Sequence, residues 1–210
     1  LPTPRILRYD GVGREEFETP ILPAARRRTA MATTALLTAE DIAEFPEDER
    51  GELIRGEWRP MVPPGFEHGE IALAIGSVLR AWVRERGLGV VTVESGYILE
   101  RDPDTVVGPD VAYVRSERVP SPEQYAKFGP AAPDLAVEVV SPSQSRSFVE
   151  EKVAIYLSTG THLVWMVHPQ RRTVTVYSRD EKPRVLTEND ILDGGDVLPG
   201  FTLPVAEIFA

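Results

Sequence analysis

The chain has 210 residues, 42% of them hydrophobic and 27% charged, enough for one substantial core. It contains no cysteine. That excludes a disulfide framework, a thiolate nucleophile and a cysteine-based zinc site, and it suits a reducing cytoplasm. No apolar run reaches the length of a membrane span. A formal net charge of −10 argues against broad electrostatic adhesion to nucleic acid, while leaving room for an enzyme that handles phosphates through bound cations.

Residues 1–30 carry scattered prolines, no sustained periodicity and the run Arg26-Arg27-Arg28. They read as a disordered N-terminal extension, with Met31 as an alternative native start; a basic nucleic-acid arm is the rival reading. Six arginines against four acids make this segment +2, so residues 31–210, expected to form a single domain, carry −12. From Thr38 the chain becomes organised. Thr38 as N-cap and acids in the first turn predict a short helix stopped by Pro46. "GELIRGEWRPM" reads as a hairpin turning at Arg55-Gly56. Ile71, Ile75, Val78, Leu79 and Trp82 recur at helical spacing, predicting a long helix that Gly87 or Gly89 ends and that His68 could cap, with support of the site from behind its direct residues as a second reading of His68.

"VVTVESGYILE" alternates like strand, and "RDPDTVVG" reads as a loop. Strands are predicted over Val111–Val114 and Leu135–Val140, separated by a Pro-rich connection. The second is apolar on both faces and therefore buried. A helix follows over Arg146–Thr159, with Gly160 beyond its end, then a buried strand in "HLVWMVHP". A turn at Pro169–Arg171 pairs that strand with "TVTVY", and the final "LPGFTLPVAEIFA" reads as a docked tail. The order is that of an α/β protein: a mixed β-sheet flanked by helices.

Phosphate-loop, dinucleotide and nucleophile-elbow motifs are absent, and the three histidines, His68, His162 and His168, share no ligand spacing. The stronger candidates for chemistry are carboxylates and a lysine. Two Pro-Asp phrases, at Asp110 and Asp134, each lead into a strand. Asp134 and Glu138 share a strand face but lie four residues, roughly 13 Å, apart, too far to hold one cation together. Asp134 is expected instead to satisfy backbone amides of the entering loop. Glu138 is the single charge in an apolar run, so it requires a partner: a metal, a lysine or an arginine. Asp110 begins a separate strand that could deliver its carboxylate to the same spot. Of three lysines, Lys127 and Lys182 read as solvated, and Lys152 lies on the following helix with Tyr156 four residues on. Asp110, Glu138 and Lys152 thus form a candidate metal-plus-lysine set.

These motifs in this order resemble the Uma-type restriction-endonuclease family, a branch of the PD-(D/E)XK nuclease superfamily. The matching stretches are "GPD" before a strand, "PDLAVEVVSPS", "EEKVAIYLSTGTHLVWMVHPQRRTVTVY", the terminal "LPGFTLPVAEIF", and "RGELIRGEW" with the long helix upstream. The likeness spans roughly Thr38 to Phe209 and implies a restriction-endonuclease-like fold. By that resemblance Asp110 matches the metal-binding aspartate and Glu138 the Asp/Glu of the (D/E)XK half. The superfamily lysine would fall at Val140, where this chain departs from the pattern; in this branch the lysine has moved to the helix, at Lys152. Glu52 matches an additional acid of the N-terminal part. The implied activity is Mg²⁺- or Mn²⁺-dependent hydrolysis of phosphodiester bonds in DNA, with Asp110, Glu138 and the Val139 carbonyl as metal ligands. A homodimer would suit cutting of two strands. The alternatives are a non-catalytic binding module on the same fold, favoured by the acidic balance, and a phosphoesterase acting on a smaller substrate.

Overall fold

The computed structural model describes residues 36–210 apart from Glu47, Ala126 and Ser143. The expectation of disorder at residues 1–30 lies outside the described residues. Helix α1 (Ala39–Ala43) starts at the predicted cap: Thr38 Oγ1 accepts the Asp41 amide, and the Asp41 carboxylate accepts the Thr38 amide. Strands β1 (Gly51–Ile54) and β2 (Glu57–Pro60) form the expected hairpin, with Glu52 opposite Arg59 and Leu53 opposite Trp58. Helix α2 (Phe66–Arg86) buries Ile71, Ile75, Leu79 and Val83 as one stripe and ends at Gly87, whose φ of 63° is left-handed. Its N-cap is Gly65, which corrects the capping role expected of His68. The helix begins two residues before His68, which therefore lies inside the first turn and is free to point elsewhere.

Two further expectations are corrected. The stretch read as one alternating segment is two strands, β3 (Gly89–Val93) and β4 (Tyr97–Glu100), which join different sheets. The break follows Glu94, at a left-handed φ of 46°. The stretch read as a loop contains β5 (Thr105–Val107), which pairs with both β1 and β4. Three residues are too few to show a period of two, so only their non-local partners reveal the strand. Strands β6 (Val111–Arg115), β7 (Leu135–Val139), β8 (Leu163–His168) and β9 (Thr173–Ser178) and helix α3 (Arg146–Thr159) lie where expected. Strands β10 (Arg184–Thr187), β11 (Ile191–Asp193) and β12 (Thr202–Pro204) and helix α4 (Val205–Ile208) complete the described chain.

The main sheet runs β10-β9-β8-β7-β6-β3, and β2-β1-β5-β4 form a second sheet. The β7–β8 pair is parallel, and the remaining pairs of the main sheet are antiparallel. A parallel pair needs a crossover, and α3 supplies it. Strand alternation sorts the core into two layers. Val111, Tyr113, Leu135, Val137, Trp165 and Val167 pack against α2 and the C-terminal residues Phe201, Val205 and Ile208. Ala112, Val114, Ala136, Val164 and Met166 pack against α3 and against Ile54, Leu99 and Val107 of the smaller sheet. Glu138 has the parity of Ala136, so the pleat itself sends it into the α3 layer. Among the described residues no helix is long and apolar enough to cross a membrane.

Asp134 anchors the far end of β7. It is fully buried and accepts the Arg115 amide at 3.0 Å and the Arg118 guanidinium at 2.8 Å. Arg115 Nε lies 2.9 Å away as an ion pair without hydrogen-bond alignment. The amide it satisfies belongs to the end of β6, rather than to the loop preceding β7. Asp134→Ala strands two arginines that are each about a third exposed, 33% and 31%. The expected cost is about 3 kcal/mol, the low end for breaking a buried pair, because solvent reaches both partners. Urea denaturation measures it; a change below about 0.5 kcal/mol would contradict the anchoring role.

Candidate functional site

At the other end of β7 the register brings two carboxylates together. Val111 pairs with Val137 and Ala112 with Ala136, so one further step sets Asp110 beside Glu138. The ladder does not take that step through the backbone. The Val139 amide donates instead to Asp110 Oδ2 at 2.6 Å, and His68 Nε2 lies 2.9 Å from Asp110 Oδ1. Asp110 is therefore held on both oxygens, by β7 and by α2. The hydrogen bond to Asp110, opposed by partial burial, raises His68 above the ordinary histidine value. His68 Nδ1 is buried without a partner.

Helix α3 supplies the cation. Val149, Lys152, Val153 and Tyr156 face inward at spacings of three and four, so Lys152 sits within the buried stripe. Its Nζ lies 2.8 Å from Glu138 Oε1 and 2.9 Å from Glu52 Oε1. Tyr156 Oη, one turn on, donates to the same Glu138 oxygen at 2.6 Å. Glu52 arrives from β1 and also accepts the Gly108 amide at 3.3 Å. Beside it on that strand pair, Arg59 grips Glu151 of α3 through two hydrogen bonds of 2.8 and 3.1 Å, which fixes the smaller sheet against the helix.

All four acidic and basic residues singled out from the sequence, Asp110, Glu138, Lys152 and Glu52, thus belong to one connected group. Val139, expected there through its carbonyl, takes part through its amide. Burial pushes the Glu138 carboxyl up to about 7, Lys152 opposes that shift, and the Asp110 and Glu52 charges add to it. Burial alone would lower Lys152, but Glu138 and Glu52 outweigh it and hold the ammonium above the ordinary lysine value. Burial and the Glu138 charge likewise raise Tyr156 well above its usual value, so it stays a donor. A cleft of about 620 Å³ opens over the group, lined by Glu52, His68, Asp110 and Glu138. Among the described residues no three His, Asp or Glu side chains gather closely enough to hold an ion by themselves.

Sequence reasoning left two members of this group without their roles. Tyr156 is legible on the correct helix edge, and His68 as a helix cap or a support of the site, but neither with its partner. The helical spacing from Lys152 signals the first; nothing local signals the second, because the His68–Asp110 contact joins residues 42 positions apart.

A mixed sheet of this order, flanked by helices, with an aspartate immediately before β6 and a glutamate on the adjacent β7, has a nuclease-like α/β fold. The same fold is found in a crystal structure described as a "putative nuclease belonging to DUF820" from Anabaena variabilis. That chain superposes with a TM-score of 0.70 at 22% identity, covering 82% of this chain and 97% of its own. The family model described as Uma2, "Putative restriction endonuclease", matches residues 37–206, and the chain belongs to that family. A comparison with curated proteins finds no match.

Proposed function

We propose that this protein is a divalent-metal-dependent endonuclease that hydrolyses phosphodiester bonds in DNA, using Asp110, Glu138, Lys152 and Glu52. The observation that carries the reading is the single group formed by Asp110, Glu138 and Lys152 over an open cleft.

The donor set fits Mg²⁺ or Mn²⁺. Lys152 and Tyr156 both converge on Glu138 Oε1, leaving its second oxygen to the cleft that Asp110 also lines. Hard cations of this kind accept one or two carboxylates, with waters and substrate phosphate completing the shell. Bound there, such a cation supplies polarisation of the scissile phosphate and acidification of the attacking water. The protein's own groups do the rest. Val139 and His68 fix the angle of Asp110. Tyr156 and Lys152 orient Glu138. Lys152, buried beneath the cleft and paired with Glu52 and Glu138, sets its positive charge against the negative charge that develops on the phosphate. Glu52 holds the ammonium in place from the opposite sheet.

The test is hydrolysis of plasmid, short DNA and a nucleotide monoester in Mg²⁺ and in Mn²⁺. Lys152→Ala is expected to lower DNA cleavage by about 10²–10³-fold, as for loss of one pre-organised charge-stabilising donor. Equal inactivity of wild type and variant on DNA with both metals would overturn the reading. Hydrolysis of the monoester alone would assign the site to a smaller phosphate ester.

A further inference from the structure

The wall of the cleft away from the carboxylates is aromatic. Phe45 and Trp58 meet edge to face, with ring centroids 5.0 Å apart and planes at 82°. Trp58 lies over Gly51, and Phe128 lies over Gly96. A Cβ on either glycine would sit 2.6 Å from the ring, so only glycine admits so close an approach. The three rings are half-buried. Each closes the small core around Leu53 and Val106 on one side and lines the cleft on the other. At the rim, Val62 in the connection from β2 to α2 is 83% exposed.

Cations are scarce on the same surface. Among the described residues that line the cleft, Arg50 is the one arginine or lysine, and its guanidinium is 3.1 Å from Glu94. Glu49 and Glu94 add negative charge to the mouth. A duplex presents a phosphate charge about every 1.7 Å of helix axis, and proteins that track it do so with rows of lysine and arginine. This cleft has no such row. Base stacking on aromatic rings needs none, because every base has a π-face.

We infer that the cleft takes an unpaired nucleotide, its base stacked against the Trp58–Phe128 wall and its phosphate at the carboxylate–lysine group, in preference to continuous duplex. The inference rests on the nuclease reading for the phosphate end. The aromatic wall supplies the selectivity, and exposed Val62 at the rim supplies apolar contact for a base that has left its stack.

The experiment uses the full chain, with binding read by fluorescence anisotropy in Mn²⁺. A labelled single-stranded oligonucleotide is compared with the same sequence as a blunt duplex, and a deoxynucleoside monophosphate serves as competitor. The single strand is expected to bind at least about tenfold more tightly than the duplex. Trp58→Ala should remove about tenfold of that affinity, and Trp58→Phe should restore most of it. Val62→Ser, at an exposed rim position that leaves folding intact, should also weaken the single strand and leave the duplex unchanged. Competition by the monophosphate at the oligonucleotide's own concentration would support the stacking site and assign it to free nucleotides; failure to compete would assign it to strands. Equal or tighter duplex binding, or unchanged single-strand binding in both Trp58→Ala and Val62→Ser, would overturn the inference while leaving the nuclease reading intact. Absence of hydrolysis on every substrate would overturn the nuclease reading instead, and the anisotropy ratio would still be measurable.

Discussion

Lys152→Met is expected to destabilise the protein by about 3–5 kcal/mol at pH 8, the cost of leaving buried carboxylates without their cation. Lys152, Glu52 and Glu138 are all nearly inaccessible to solvent. Methionine keeps the length of the side chain, so packing against α3 changes little and the loss reports charge. Two negative groups would then face each other in a low-dielectric layer. Glu138 already has its carboxyl pushed up to about 7 by burial, and Lys152 is the group that opposes this. Its removal raises Glu138 further, and the variant recovers stability by taking up a proton. The destabilisation should therefore be smaller at pH 6 than at pH 8. Adding Glu138→Gln to the variant should recover part of the loss at pH 8. Equilibrium urea unfolding of the four proteins at both pH values measures the coupling. A loss below about 1 kcal/mol at pH 8, with no dependence on pH, would mean that the three charges do not depend on one another.

The second large effect concerns the metal. Mn²⁺ at roughly a hundred times its dissociation constant should stabilise the folded state by about 2.7 kcal/mol, which is about 5–10 °C in Tm for a chain of this size. Asp110→Asn should abolish that rise. The effect should also depend on pH, with a sign opposite to that of the metal-free protein. Without metal, Glu138 titrates in the folded state near 7, above its ordinary value of 4.5. The folded state then binds more protons than the unfolded one across that window. Its contribution to stability is complete below about 4.5 and is lost as pH rises towards 7. With metal, the proton must leave before Glu138 can ligate, so the Mn²⁺-induced rise should grow from pH 5.5 to 7 and level off above it. Thermal unfolding with and without Mn²⁺ across this range gives both slopes. A rise that persists in Asp110→Asn would place the cation elsewhere.

The likeness to a nuclease-like fold bears on how these experiments are read. The same sheet can carry a working centre or a binding surface, and the −12 balance of residues 31–210 gives weight to the second. Metal-linked stability distinguishes a competent centre from a vestigial one before any substrate is known.

Much of this arrangement is written locally. The period of 3.6 in α2 and α3, the β-branched runs of β6, β7 and β8, and the glycines after both long helices set those elements, because each depends on side chains a few positions apart. The isolated glutamate in "LAVEVV" and the single lysine on the next helix identified Glu138 and Lys152 for the same reason: a charge among apolar neighbours must be answered by another group nearby. The pleat then dictates that Glu138 faces α3. What local pattern did not determine was which sheet each short strand joins. β3 and β4 separate at Glu94, and β5 takes its identity from partners in β1 and β4. Nor could spacing show that Glu52 closes on Lys152 across 100 positions, that His68 in the first turn of α2 meets Asp110, or that Trp58 and Phe128 wall the same cleft. Those contacts depend on how the smaller sheet docks against α3, where Arg59 and Glu151 meet and Ile54 is buried. Periodicity fixes the face each residue presents; only the packing of distant faces decides what that face meets.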